Sequence, residues 1–258
     1  MKHVYLSPHL DDAVLSCGGA IHRHTAAGEP ALIITIFAGE AGADVEFSPF
    51  ALVQHGYWSH PPRPMTLRRA EDAAALALLG ARGLYLDYLD AIYRTDTGGQ
   101  WLYAGLEALF GEVHPADPVA LDGAKGLADR LAGLAPPQDH MVVYAPLGAG
   151  HHIDHQLTHI AARQLLDRGY RLAFYEDLPY AEQPEALEAA LAAAEGWRAE
   201  SIPLNAADVT AKVSALSYYR TQMPVLFGGA EAMPSRVWSF AASRSSESGL
   251  VEQVWWPR

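Results

Sequence analysis

Two short clusters hold most of the side chains in this sequence that could do chemistry. Ser7-Pro8-His9-Leu10-Asp11-Asp12 ends a short apolar segment, and His152-Ile153-Asp154-His155 follows about 140 residues later. His9 and Asp12 stand three apart, close enough to converge on one ion from a strand-to-helix turn, and His155 can add a third ligand. Two imidazoles and one carboxylate suit a borderline divalent ion such as Zn2+, with Fe2+, Mn2+ and Co2+ also fitting. Three protein ligands leave a position open for water, whose pKa zinc lowers from 15.7 to about 7. Asp11 is then the general base that takes the proton from that water. His152, when protonated, would stabilise the oxyanion on the other side of a reacting carbonyl and then protonate a departing amine. Asp154 is placed to orient His152 and keep it cationic. This is the inventory for metal-assisted cleavage of an amide.

Each cluster alone has an ordinary explanation. A pair of aspartates after a strand is commonly a helix N-cap with a first-turn acid, and His-x-Asp-His is commonly a solvated turn. Both together, each directly after a buried strand, favour a bound metal. His151 is expected at the surface or beside the site. His159, one helical turn beyond His155, is expected to pack or face solvent rather than act as a fourth ligand.

The elements that must position these residues follow from the hydrophobic pattern. His3–Ser7 reads as a buried strand stopped by Pro8, and 12–24 as a helix whose small Gly18-Gly19-Ala20 stretch packs closely on a sheet. Residues 31–38 (ALIITIFA) are β-branched and uncharged, as in a parallel strand covered on both faces. Residues 39–64 read as a long Gly/Pro-rich loop, 66–79 as a helix capped by Thr66, and 84–88 as a strand. Residues 91–122 look irregular, and Lys125–Leu134 looks helical. Strands at 141–145 and 172–175 flank a helix at 155–166. A helix at 184–194, a strand at 198–203, a helix at 207–219 and closing strands at 237–242 and 251–256 complete the pattern. Alternation of this kind predicts an α/β fold, three-layered and Rossmann-like with a mostly parallel sheet. One domain over 1–258 is expected, with insertions near 40–65 and 91–122. Both clusters then lie at the carboxyl edge of the sheet, where open α/β folds bind their ligands.

Bulk properties narrow the partners. Half of the 258 residues are apolar, which argues against disorder. A formal charge of -12 disfavours nucleic acid and anionic membranes, both of which need a cationic surface. Cys17 is alone, so no internal disulfide forms. No stretch approaches the roughly 20 apolar residues of a membrane span, and no cleavable leader is evident. A cytoplasmic protein acting on a small molecule is expected; the oligomeric state is not readable.

At Pro8-His9-Leu10-Asp11-Asp12 and His152-Ile153-Asp154-His155 the sequence resembles the N-acetylglucosaminyl-phosphatidylinositol de-N-acetylase family, also called PIG-L or LmbE-like. The resemblance covers order and spacing over about the first 175 residues, with Gly18-Gly19 following the first motif. It implies a zinc-dependent amide hydrolase that removes acetyl or other acyl groups from amino sugars. It also implies ligation by His9, Asp12 and His155, with Asp11 as base and His152 as acid or electrophile. Arg68, Glu71 and Asp90 stand where family members contact the sugar; their ordinary readings are an intrahelical ion pair and a turn residue. Ala13 and Leu10 depart from residues common at those places. Gly150 stands where some members have a tyrosine, so any tyrosine here must come from another loop.

The aromatic residues of 47–58 and Trp101-Leu102-Tyr103 are candidates for stacking on sugar rings or covering an acyl chain, or else for packing their own loops. Lys212, Tyr219, Arg220 and Gln222 form a polar group on a late helix. The rival function is a non-catalytic carbohydrate- or metal-binding protein on the same scaffold, which has no need of Asp11 or His152. A nucleotide-binding reading fails locally, because SPHLDD is no Gly-rich phosphate cradle.

Overall fold

The computed structural model describes residues 2–42, 45–121, 123–193, 196–245 and 249–258. Five strands run parallel: β1 (His3–Ser7), β2 (Ala31–Thr35), β3 (Arg82–Tyr85), β4 (Val142–Pro146) and β5 (Leu172–Tyr175). Two more, β6 (Trp197–Leu204) and β7 (Leu250–Pro257), extend the same sheet, β7 antiparallel to β5 and β6 antiparallel to β7. The spatial order is β3-β2-β1-β4-β5-β7-β6. The chain winds outward from β1 through β2 to β3, then returns to place β4 on the other side of β1. That reversal opens a crevice at the carboxyl ends of β1 and β4, the switch point of a doubly wound sheet.

Alternating residues explain the layers. Val4, Leu6, Leu32 and Ile34 enter one core, whereas Tyr5, Ala31 and Ile33 enter the other, as the period of two in a strand requires. The first core is covered by helices α5 (Lys125–Leu134) and α6 (Ile153–Leu166). The second is covered by α1 (Asp12–Ala26), α3 (Pro64–Leu78), α8 (Ala206–Leu216) and α10 (Met233–Ser243).

Gly18 and Gly19 set how closely α1 meets its neighbours. A Cβ on Gly18 would lie 2.8 Å from Lys212 Cγ, and one on Gly19 would lie 2.6 Å from Leu204 Cδ1. The buried Lys212–Glu252 ion pair (2.7 Å) reaches into α1 itself. The Ala20 N–H donates to Glu252 Oε2 (2.7 Å), and Lys212 Nζ donates to the Ser16 carbonyl (3.3 Å). An α-helix ordinarily pairs those two backbone groups with each other.

Several sequence expectations change. The loop expected over 39–64 contains α2 (Pro49–Tyr57), started by the Ser48 Oγ that accepts from Ala51 N (3.0 Å) and by proline at the first helical position. Thr66 is not a cap: α3 begins at Pro64, and the Thr66 hydroxyl donates to Glu40 (2.9 Å). The stretch 237–242 is not a strand but the centre of α10, because Met233, Val237 and Ala241 repeat every four residues and are buried. Among the described residues of 91–122 there are one 3₁₀ turn, Ala91–Tyr93, and a one-turn α4 (Leu106–Leu109). The helix expected at 184–194 is α7 (Pro184–Ala192), and Ala194 lies outside the described residues. A short α9 (Met223–Phe227) had not been anticipated. No helix among the described residues is long and apolar enough to cross a membrane.

Candidate metal centre and active site

β1 delivers His9, Asp11 and Asp12 through the turn that starts α1, and β4 delivers His152, Asp154 and His155 at the start of α6. Because β1 and β4 are hydrogen-bonded neighbours, the two clusters meet. Asp12 Oδ2 is their hub, 3.1 Å from His9 Nδ1 and 3.2 Å from His155 Nε2, and it also accepts from His9 N (2.8 Å). Metal bonds of about 2.0–2.2 Å at tetrahedral angles separate donor atoms by about 3.3–3.6 Å, so moving these atoms apart by roughly a few tenths of an ångström suffices to seat an ion. Nitrogens of His9, His152 and His155 lie within 4.8 Å of one another.

The outward nitrogens are also engaged. His9 Nε2 donates to Asp154 Oδ2 (2.9 Å), and His155 Nδ1 donates to Asp177 Oδ1 (2.6 Å). A carboxylate behind each imidazole fixes the ring and its tautomer, the pattern typical of metal-binding histidines. Asp177 is itself clamped by Gly148 N (2.8 Å) and Ala149 N (3.1 Å).

The charge balance points the same way. Asp11, Asp12, Asp90, Asp154 and Asp177 are buried around this crevice, against the two buried arginines Arg68 and Arg94. Unpaired buried charge is costly, so the pocket demands further cations. Burial alone would lower the His9 imidazole, yet Asp90, Asp12 and Asp154 outweigh it and hold its pKa well above the usual histidine range. For His155 burial is likewise overcome, here by Asp12 and Asp177, and the pKa rises to about 9. Both rings take up a proton when no other cation balances the acids. A divalent ion fits that role, and the donor set suits zinc or a neighbouring transition metal.

Asp11 and His152 differ from His9, Asp12 and His155 and from each other. Burial raises the Asp11 carboxyl to about 6, with Arg68 pulling it down and Asp12 pushing it up. Its one arginine contact, Arg68 Nη2 at 3.3 Å, leaves it room to act on a proton. Burial, followed by the neighbouring His9, drives the His152 imidazole well below its ordinary value. His152 is also the N-cap of α6: its Nδ1 accepts from Asp154 N (3.2 Å), so the ring proton sits on Nε2. The expected arrangement is corrected here. Asp154 meets His152 through its backbone N–H, while its carboxylate turns to His9, to Ala91 N (3.0 Å) and to Arg94; it does not keep His152 cationic.

The other anticipated residues divide. Arg68 and Asp90 line the crevice, with Arg68 Nη1 3.8 Å from Asp90 Oδ2 and its guanidinium 5.0 Å from the Trp58 ring centroid. Gln222 joins them, its amide oxygen accepting from Arg68 Nε (3.2 Å) and Trp58 Nε1 (3.1 Å). Glu71 bonds elsewhere: its carboxylate accepts from Thr221 N (3.1 Å) and Thr221 Oγ1 (2.6 Å) rather than pairing with Arg68. Phe50, Tyr57 and Trp58 of α2 reach the crevice, whereas Tyr103 is buried against Asp117 and Trp101 donates to the Glu46 carbonyl. Lys212 and Tyr219 serve the other face of the sheet, bonding Glu252 and Asp72. His159 packs on Phe174 and bonds the Pro146 carbonyl (3.0 Å).

Asp177, Arg94 and Tyr180 were missed in the sequence. Asp177 had a signal, an acid directly after a buried strand at the ligand edge of the sheet. Tyr180 brings a tyrosine to the crevice from the turn after β5, and Gly150 makes room for it. Gly150 has φ +83°, and a Cβ there would lie 2.6 Å from Tyr180 Cβ and overlap its ring. Gly150→Ala is therefore expected to cost about 2–4 kcal/mol from left-handed strain and overpacking, measured by urea unfolding.

The crevice encloses about 450 Å3, enough for a sugar ring with its acyl group. A cavity of about 880 Å3 between α6 and α7 is larger, but none of the five buried acids lines it.

The sequence profile of the PIG-L family, GlcNAc-PI de-N-acetylase, matches residues 4–166. The chain is 31% identical over 193 residues to the 2'-N-acetylparomamine deacetylase of Streptomyces fradiae, a match covering 72% of this chain and 60% of that relative's length. It is 28% identical over 239 residues to the protein of the same name from Niallia circulans, covering 87% of this chain and 82% of the other. Among solved structures, the zinc-inhibited form of the teicoplanin deacetylase Orf2 superposes with a TM-score of 0.85 at 30% identity. That superposition covers 99% of this chain and 97% of Orf2.

Proposed function

Because this chain belongs to the PIG-L family of GlcNAc-PI de-N-acetylases, we propose that it hydrolyses the amide of an N-acylated amino sugar carried on a larger glycoconjugate. The observation that carries this reading is the meeting of the two clusters, Asp12 Oδ2 lying 3.1 and 3.2 Å from the two histidines, with Asp11 beside them on Arg68 Nη2 (3.3 Å). His9 Nδ1, Asp12 Oδ2 and His155 Nε2 would hold the metal, with Zn2+ as the expected ion and Fe2+ as the next candidate. When bound, such an ion supplies a Lewis acid that acidifies water and polarises the amide carbonyl.

The protein's own groups do the rest. Asp11 accepts a proton from the attacking water as its oxygen bonds to the carbonyl carbon. His152 donates its Nε2 hydrogen to the developing oxyanion as a neutral electrophile, which suits its depressed pKa. As the C–N bond breaks, Asp11 returns the proton to the departing nitrogen, giving a carboxylic acid and a free amine. Arg68 and Asp90 are placed to bond ring hydroxyls, and the aromatic residues of α2 to face the sugar or its aglycone. The named relatives make aminoglycoside and glycopeptide amino sugars the first substrates to try.

The test is release of primary amine from N-acetylparomamine-type aminoglycosides and from N-acetylglucosamine on a glycopeptide core, with metal content measured in parallel. Amine release that is abolished by chelation is expected. One equivalent of metal with no amine released from any N-acylated glycoside would favour the non-catalytic binding protein instead.

A pH dependence follows from Asp11. The base must be ionised, and burial sets its carboxyl at about 6. We therefore expect kcat/KM to be full above that value and to fall about tenfold per pH unit below it. A rate unchanged between pH 7 and 4.5 would remove Asp11 as the base.

A further inference from the structure

Arg94 takes no part in the steps above, yet it is one of the two buried arginines beside the crevice. Its Nη2 lies 2.6 Å from Asp154 Oδ1, its Nε lies 3.0 Å from Asp117 Oδ2, and its Nη1 donates to the Leu89 carbonyl (3.0 Å). The rings of Phe37 and Tyr103 cover it, 4.9 and 5.4 Å from the guanidinium carbon. Asp117 is held in turn by Tyr103 OH (2.8 Å) and Val119 N (2.9 Å). Asp154 and Asp117 are fully buried. The other oxygen of Asp154 accepts from His9 Nε2 (2.9 Å), so an unbroken line runs from Asp117 through Arg94 and Asp154 to His9.

We propose that Arg94 is a positioning residue for the metal centre: by fixing the Asp154 carboxylate it fixes the rotation of the His9 ring, and with it the direction of the Nδ1 lone pair. The guanidinium does this by holding the two carboxylates at ion-pair distance on one rigid plane while its Nη1 is anchored on the Leu89 carbonyl; a lysine ammonium at the same place supplies charge without that span. The proposal gives the irregular segment 91–122 a task, since it contributes Arg94, Tyr103 and Asp117 and forms little regular structure. It rests on the ligand set proposed above, and concerns metal affinity rather than turnover.

The experiment is zinc titration of the chelator-stripped protein against a chromophoric competitor, with the visible spectrum of the Co2+ form as a second readout. Arg94→Lys is expected to weaken zinc binding 10–100-fold, the range for loss of a partner behind a ligand, and to shift the Co2+ bands. Lys212→Met breaks a buried ion pair on the opposite face of the sheet. It is expected to lower Tm while leaving zinc affinity and the Co2+ spectrum as in wild type. Should Arg94→Lys fail to fold, Asp117→Asn frees one anchor of the guanidinium and should weaken zinc several-fold. Wild-type affinity and an unchanged Co2+ spectrum in whichever Arg94 or Asp117 variant folds would overturn the proposal. Metal binding is measured without substrate, so absence of amine release defeats the functional reading alone. A wild-type protein that binds no zinc defeats both.

Discussion

Asp11→Asn lowers kcat by about 10²–10⁴-fold while the protein keeps its full complement of metal; this range is the usual contribution of a general base. The amide preserves the shape of the carboxylate and can still accept from Arg68, so the surrounding pocket is left in place. What it loses is the ability to take a proton from water and return it to nitrogen. Asp11 supplies neither of the two ring nitrogens nor the carboxylate oxygen of the proposed ligand set, which is why binding and turnover should separate. Steady-state amine release with atomic emission on the same sample checks this, and the acid limb near pH 6 should disappear from what activity remains. Turnover within a few-fold of wild type would mean that another group accepts the proton.

Asp12→Ala has the opposite signature, losing metal and turnover together. Its Oδ2 faces both ligand imidazoles, so its removal takes away a donor atom and the charge that both rings share. The loss of zinc affinity should exceed the 10–100-fold typical of a partner behind a ligand, and amine release should fall to the uncatalysed background. Competition with a chelator measures the first and a discontinuous amine assay the second. An Asp12→Ala protein that holds one equivalent of zinc and turns over would overturn the ligand set.

The clusters were legible because they are local: a strand, a turn and the start of a helix keep His9 near Asp12, and His152 near His155, in any α/β arrangement. Their meeting was inferable from the position of both at strand ends. What the sequence concealed was direction. His-x-Asp-His contains an acid two residues after His152, which suggested a side-chain partnership. Once α6 begins at Ile153, however, the Asp154 side chain points across the switch point to His9, and its N–H is left for His152. Glu71 was misplaced for a similar reason, since its helix presents it to Thr221 far along the chain. Residues 237–242 misled because a short apolar run fits either period. Arg94 and Asp117 gave no warning, as nothing in an irregular stretch announces which charges will be buried together.

The Lys212–Glu252 insertion into α1 has a consequence for how the molecule is made. Roughly 230 residues separate Ala20 from Glu252, so at 5–20 residues per second a ribosome needs roughly 12–46 s to travel between them. Throughout that interval the glycine-lined flank of α1 is without the carboxylate that accepts its Gly19 and Ala20 N–H groups. The nascent chain thus carries its first helix, and the turn bearing His9, Asp11 and Asp12 attached to it, with one side unfinished until β7 emerges.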